Sequence, residues 1–245
     1  MPPGPGSLLD QLFDPIHDGS SLADTVAQRI GEAIVAGVIG DGDQLPSEER
    51  LASDFGISTI TLRSALTILR DRELVVTRRG RNGGSFAQLP TAAFERAARE
   101  RLRSVSLVEL RDLGEEQAAI AGSSAALAAR RATPENLTRL DHLVASLTDD
   151  DAVVDIARSD SRFHIEVGVS AQSERFTRRQ VVMQAEYVDL LWLDTSEDHR
   201  ARCIAQHRGI LSAIRAEEPT VARQRAEEHT RTDFRRLVEL HLEAE

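Results

Sequence analysis

Four side chains in the C-terminal half combine residue types and spacings that suit metal chemistry: Asp160, His164, His207 and His229. Asp160 and His164 are four residues apart, which puts both on one face of a helix. Ile156, Ala157 and Val167 share that stripe, so the pair is predicted to point into a core. His207 sits among Cys203, Ile204, Ile210, Leu211 and Ile214, and His229 lies along Ala222, Ala226 and Leu237. A carboxylate and three imidazoles turned inward on three helices are costly to bury without partners. A divalent ion answers that cost, and facing helices in a bundle can build its site. One carboxylate oxygen and three imidazole nitrogens suit Zn, Ni, Co or Mn, and without a thiolate the donor set does not choose among them. Taken singly, each histidine is more often a hydrogen-bonded core residue than a ligand, so the metal reading rests on the set.

Other candidates are weaker. His199, Cys203 and His207 repeat the spacing of four and offer an alternative face, although Cys203 reads more plainly as a small buried core residue. His17, His142 and His241 are expected to face solvent. Arg111, in Glu-Leu-Arg, is a candidate clamp for an effector carboxylate, since a guanidinium holds one bidentately. Trp192 is a candidate lining of the effector pocket, and equally a core or dimer contact.

Composition removes whole classes of chemistry. All 30 basic residues are arginine, so Schiff-base catalysis, pyridoxal phosphate attachment and the P-loop lysine are excluded. The single cysteine leaves no disulfide framework and points to a reducing cytoplasm. The start, MPPGPGSLLDQLFDPI, has neither the basic opening nor the apolar run of a secretion signal. No apolar run approaches the ~20 residues of a spanning helix, so no membrane partner is expected. The net charge is −10, yet residues 58–81 carry Arg63, Arg70, Arg72, Arg78, Arg79 and Arg81 against Asp71 and Glu73. A basic island in an acidic chain suggests a local anionic partner.

The elements around that island follow from periodicity. Residues 1–20 are rich in Gly, Pro and Asp and read as a tail. Leu22, Val26, Ile30 and Ile34 mark one helix face, ending near Gly37–Gly40. Ser47 caps a short helix that stops at Gly56, and Ser58 caps a third whose apolar set is Leu62, Ala65, Leu66 and Leu69. Leu74–Thr77 and Ser85–Ala87 then read as two strands around a turn rich in glycine and arginine. Three helices and a basic hairpin make a winged helix-turn-helix, which places its second motif helix in the DNA major groove. Beyond a connection at 89–104, itself partly helical, residues 105–245 are helical throughout. Helices are expected at 106–132, from Thr133-Pro134, and at 151–170, 174–192, 197–216 and 220–243. The fold class is therefore mostly α: a winged helix-turn-helix over 21–88, then an all-α antiparallel helical bundle.

The segment LPSEERLASDFGISTITLRSALTILRDRELVVTRRGRNGGSF, residues 45–86, resembles the GntR family of bacterial transcription regulators. The all-helical remainder resembles the FCD effector-binding domain of the FadR-like branch. The resemblance implies DNA contacts at Ser58, Thr61 and Arg63, with wing contacts at Arg79, Gly80 and Arg81. Two positions depart from the family pattern. Glu49 stands where arginine is usual, with Arg50 following, and Thr59 replaces another arginine; both Arg50 and Thr59 are therefore kept as DNA-facing candidates. Ile60 beside them suits a thymine methyl. In metal-binding FCD domains an Asp-x-x-x-His on one helix joins a histidine on each of two later helices, and Asp160, His164, His207 and His229 match. The resemblance thus implies a metabolite-responsive regulator that binds an inverted-repeat DNA operator as a homodimer, with a small carboxylate effector at the metal. The alternative from another class is a metal-dependent hydrolase or oxygenase using the same three-histidine, one-aspartate site.

Overall fold

A computed structural model of the chain describes residues 22–80, 83–89, 91–147, 153–193 and 196–244. It divides into two compact units, with the boundary between Pro90 and Thr91. The first holds helices α1 (Leu22–Val35), α2 (Glu48–Phe55) and α3 (Thr59–Asp71) and strands β1 (Val75–Arg78) and β2 (Gly84–Ala87). The second holds α4 (Thr91–Ser104), α5 (Leu107–Arg131), α6 (Pro134–Ala145), α7 (Val153–Ser170), α8 (Glu174–Leu191), α9 (Glu197–Arg215) and α10 (Pro219–Ala244).

In the first unit the caps fix where the short helices begin and end. Ser47 Oγ accepts the Arg50 backbone N–H, and Ser58 Oγ accepts that of Thr61. Each such cap contributes about 1 kcal/mol. Gly56 closes α2 at φ 66°, ψ 34°, a left-handed conformation that glycine adopts without a Cβ clash. α3 packs on both α1 and α2 and buries Leu62, Ala65, Leu66 and Leu69 against Val26, Ile30, Ile34, Leu51 and Phe55. β1 and β2 pair antiparallel from Val75↔Ala87 to Arg78↔Gly84, and an isolated bridge Gln44↔Phe86 ties the loop before α2 to the hairpin. This is the three-helix, one-hairpin arrangement expected from the sequence.

The second unit is all helical. Ser106 and Thr133 form capping boxes with Glu109 and Asn136, as their spacing predicts for Ser106. α5 and α10 make the most extensive helix pair, made possible by a small-residue face on α5. A Cβ on Gly114 would stand 2.8 Å from Cγ of Phe234. Ala121, Ala125, Ala128, Leu140, Phe163, Val167, Ile210, Leu211 and Ala222 form one buried cluster drawn from α5, α6, α7, α9 and α10.

The segment 89–104, expected to be a partly helical connection, is helical from Thr91: this is α4, which packs on α8 and α10, with Ala98 and Leu102 buried. One expectation needs correction. His241 does not face solvent. It is 4% exposed on α10, and its Nδ1 donates to the Leu102 carbonyl of α4 at 2.8 Å. His142 is exposed as expected, and His17 lies outside the described residues.

Candidate nucleic-acid interface and candidate metal centre

The buried stripe of α3 leaves the opposite face outward, where Thr59, Arg63 and Ser64 are exposed. Ile60 is 75% exposed, unusual for so apolar a side chain in a folded unit. Ser58 and Thr61 are already engaged with each other: besides the cap, their hydroxyls share a hydrogen bond of 2.8 Å. Arg63 Nε donates to Glu48 Oε2 at 2.7 Å, and this partner raises the guanidinium pKa. Arg50 is exposed near Asp54, at 3.6 Å. At the hairpin turn Arg79 and Gly80 are exposed, Gly80 with φ 117°. Arg81 lies outside the described residues. Arg78 stands over the Phe86 ring at 4.3 Å, so its cation is held against the hairpin by cation–π attraction.

In the second unit α7, α9 and α10 bring Asp160, His164, His207 and His229 together. All four are buried, at 1%, 5%, 0% and 1% exposure. His229 Nε2 lies 3.1 Å from His207 Nε2 and 3.1 Å from His164 Nε2. Asp160 Oδ1 lies 3.3 Å from His207 Nε2 and 3.9 Å from His164 Nε2. Phe163 stacks on His207 at 4.0 Å, so the apolar core forms one wall.

The electrostatics follow from burial. Desolvation lowers His164 and His229 to about 4 and holds His207 well below its ordinary value, so the imidazoles are neutral near pH 7. Gln206 Oε1 accepts from His229 Nδ1 at 2.9 Å, which turns the lone pair of Nε2 toward the other imidazoles. Unprotonated ring nitrogens converging at 3.1 Å repel unless a proton or a cation lies among them. A metal ion satisfies all of them at once, and Gln206 is the kind of outer partner that orients a ligating histidine. Burial raises Asp160 to about 6, opposed first by His164 and then by hydrogen bonds from Trp192 and Cys203.

Two more residues stand at this centre: Cys203, which the sequence offered on an alternative face, and Asp233, which was not singled out. Cys203 is buried as expected, but its thiol donates to Asp160 Oδ1 at 3.4 Å and lies 3.7 Å from His207 Nε2. Asp160, Cys203, His207 and His229 offer donor atoms all within 4.8 Å of one another, so the cluster is compatible with a metal site. Burial and the charges of Asp160 and Asp233 push the Cys203 thiol well up, which keeps it protonated. Asp233, 7% exposed, places Oδ2 3.3 Å from His229 Nε2. Its spacing of four from His229 repeats that of Asp160 and His164, and that was the signal available in the sequence.

Trp192 is buried, and its ring meets that of His199 edge-on at 5.3 Å. Arg111 is not drawn into the cluster. It follows the buried Leu110, so the helix turns it outward, where it pairs with Asp112 at 3.0 Å and Glu115 at 3.8 Å. It lines an outer groove with Gly114, Ala118 and Phe234 instead. On α5 and α8, Gln117, Gln180 and Gln184 are fully buried. Gln117 Nε2 donates to Gln180 Oε1 at 3.2 Å, and Gln184 Nε2 donates to Tyr187 Oη at 2.7 Å. Gln117 Oε1, Gln180 Nε2 and Gln184 Oε1 have no partner among the described residues. Burial pushes the Tyr187 hydroxyl pKa well up, and the charges of Asp160 and Asp233 push it the same way.

Comparison with known proteins agrees with both halves. The family described as bacterial regulatory proteins, gntR family, matches residues 22–83, and the FCD domain matches residues 93–232. A protein named as the HTH-type transcriptional regulator RmpR, from Mycobacterium gastri, is 37% identical over 90% of this chain and 81% of its own length. The Glc operon transcriptional activator of Escherichia coli (strain K12) is 27% identical over 91% of each chain. The solved structure of E. coli McbR/YncC covers 89% of this chain and 98% of its own, with a TM-score of 0.54 at 17% identity, a likeness of fold. These families and relatives are transcription regulators rather than enzymes, which leaves the hydrolase or oxygenase alternative without support. Among the described residues no helix is long and apolar enough to cross a membrane. The chain belongs to the gntR family of bacterial transcription regulators, in the branch whose C-terminal part is an FCD domain.

Proposed function

We propose that this regulator binds an inverted-repeat operator as a cytoplasmic homodimer. Its DNA affinity is set by a small organic acid bound at a metal held by Asp160, His164, His207 and His229. The observation that carries the reading is the convergence of three neutral, buried imidazole nitrogens at 3.1 Å in a chain that also presents an exposed recognition-helix face.

On the DNA side, α3 supplies the reading face. Arg63 suits the acceptor edge of guanine, Thr59 and Ile60 suit a thymine methyl, and Arg50, Ser58 and Thr61 stand near phosphates. Arg79 and Gly80, at the hairpin turn, are suited to contact phosphates, and Arg81 is assigned the same role from its place in the sequence. Two copies related by a two-fold axis select an operator with the same symmetry.

On the effector side, a bound divalent ion would supply open positions for carboxylate oxygens. The unpartnered amide atoms of Gln117, Gln180 and Gln184 are suited to hydrogen-bond the hydroxyl or second carboxylate of such an acid. Ligand binding must favour one arrangement of the helices over another, or it does not alter DNA affinity.

The test is elemental analysis of purified protein together with its size in solution. About one Zn, Ni, Co or Mn per chain in a dimer is expected. A metal-free protein that still responds to its effector contradicts the metal reading and leaves the DNA assignment standing.

A further inference from the structure

We infer that Asp233 is a fifth protein ligand of the metal ion. The inference rests on the metal reading above and concerns a residue outside its four ligands. Gln206 holds the hydrogen of His229 at Nδ1, so His229 Nε2 presents a lone pair. Asp233 Oδ2 stands 3.3 Å from that same nitrogen, on the side where its lone pair points. The nitrogen it faces is the atom on which His164 and His207 also converge at 3.1 Å, so the carboxylate is aimed at the point the imidazoles share. Metal–nitrogen and metal–oxygen bonds of about 2.0–2.2 Å put neighbouring ligand atoms about 3 Å apart, which the three separations meet. Asp233 is also not placed to be an outer partner of His229, because that position, at Nδ1, belongs to Gln206.

The set then holds two carboxylates and three imidazoles, and their charge balances that of a divalent ion. With six-coordinate metal such a set would leave one position for an effector, and an acid binding through two oxygens would compete with Asp233 for the ion. The richer oxygen content also moves the preference toward Mn over the softer ions.

The experiment uses the full-length protein, stripped with a chelator and titrated with Co2+ while visible absorption is recorded. The parent, Asp233→Asn and His207→Ala are compared, with Asp233→Ser in place of the amide if that variant does not fold. Asp233→Asn is expected to weaken Co2+ binding by about 10-fold or more. It should also intensify the visible absorption as coordination number falls, while circular dichroism is unchanged. Equal affinity and an identical spectrum in the parent and Asp233→Asn, with binding lost in His207→Ala, would falsify the role of Asp233 and leave the four-ligand site intact. A parent that takes up no Co2+ overturns both.

Discussion

Glu48 Oε2 accepts from Arg63 Nε at 2.7 Å, joining the first turn of α2 to the second turn of α3. Both side chains are solvent-exposed, so the pair adds little to stability. Its effect is on direction: an otherwise mobile guanidinium is held over the outward face of the recognition helix. Arg63→Ala is expected to weaken binding to a selected operator roughly 10- to 100-fold and leave the melting temperature unchanged. Glu48→Gln should lose less, since the cation stays. Competition binding with labelled operator checks both, and equal affinity of Arg63→Ala and parent sinks the contact.

The close approach of α5 and α10 depends on Gly114. A methyl group there meets Cβ, Cγ and Cδ1 of Phe234 at 2.8–3.1 Å, near the root of the side chain where it cannot swing aside. Gly114→Ala is therefore expected to destabilise the helical unit by about 1–3 kcal/mol despite alanine's better helix propensity. Denaturant unfolding reads this directly, and a stabilised variant contradicts the packing described.

Stability of the chelator-treated protein should depend on pH through its buried imidazoles. Burial holds His164, His199 and His229 at about 4. Above their ordinary value of about 6.5 they are neutral in both states and contribute no pH dependence. As pH falls from about 6.5 toward 4, the unfolded chain takes protons that the folded one refuses, and stability is lost. Asp160 and Asp233 act oppositely. Burial raises them to about 6 and about 8, so the folded protein gains their protons first and is favoured as pH falls through those values. The imidazoles outnumber the carboxyls below pH 6.5, so thermal melts should show a maximum near about pH 6–7 and a steep decline toward about 4.5. A melting temperature highest at the acid end contradicts these protonation states.

His207 is fully buried against Phe163 and lies within 3.1–3.3 Å of two other donors, so its loss separates the fold from the site. His207→Ala should lower stability by about 2 kcal/mol through the cavity beside Phe163, yet keep its helical content. The parent's melting temperature should rise with metal, by about 2.7 kcal/mol equivalent at a hundredfold excess over the dissociation constant. The variant's should not. An equal rise in both proteins removes His207 from the ligand set.

The readable parts of this protein are those in which local chemistry is self-sufficient. Ser47, Gly56 and Ser58 sit at the helix boundaries their types predict, and the stripe at Leu62, Ala65, Leu66 and Leu69 is the buried face of α3. Asp160, His164, His207 and His229 were visible because each shares a stripe with apolar residues, which fixes direction without a structure. Arg111 drew attention by its chemistry, while its position next to inward Leu110 turns it outward, away from the buried histidines. Gln117, Gln180 and Gln184 gave no signal, since an amide on a helix reads as surface until the partner helix covers it. His241 was missed for the same reason: only α4, whose packing the sequence did not reveal, supplies the Leu102 carbonyl that makes its burial tolerable.

The central claim is that one protein couples an acid at the metal centre to an operator at α3. Operator affinity of the metal-loaded protein, measured with and without a panel of di- and hydroxycarboxylates, tests it most directly, with chelator-treated protein in parallel. At least one acid is expected to change the affinity about 5- to 150-fold in the metal-loaded protein and to have no effect once the metal is removed. An acid that shifts operator binding equally in the loaded and stripped proteins contradicts the account.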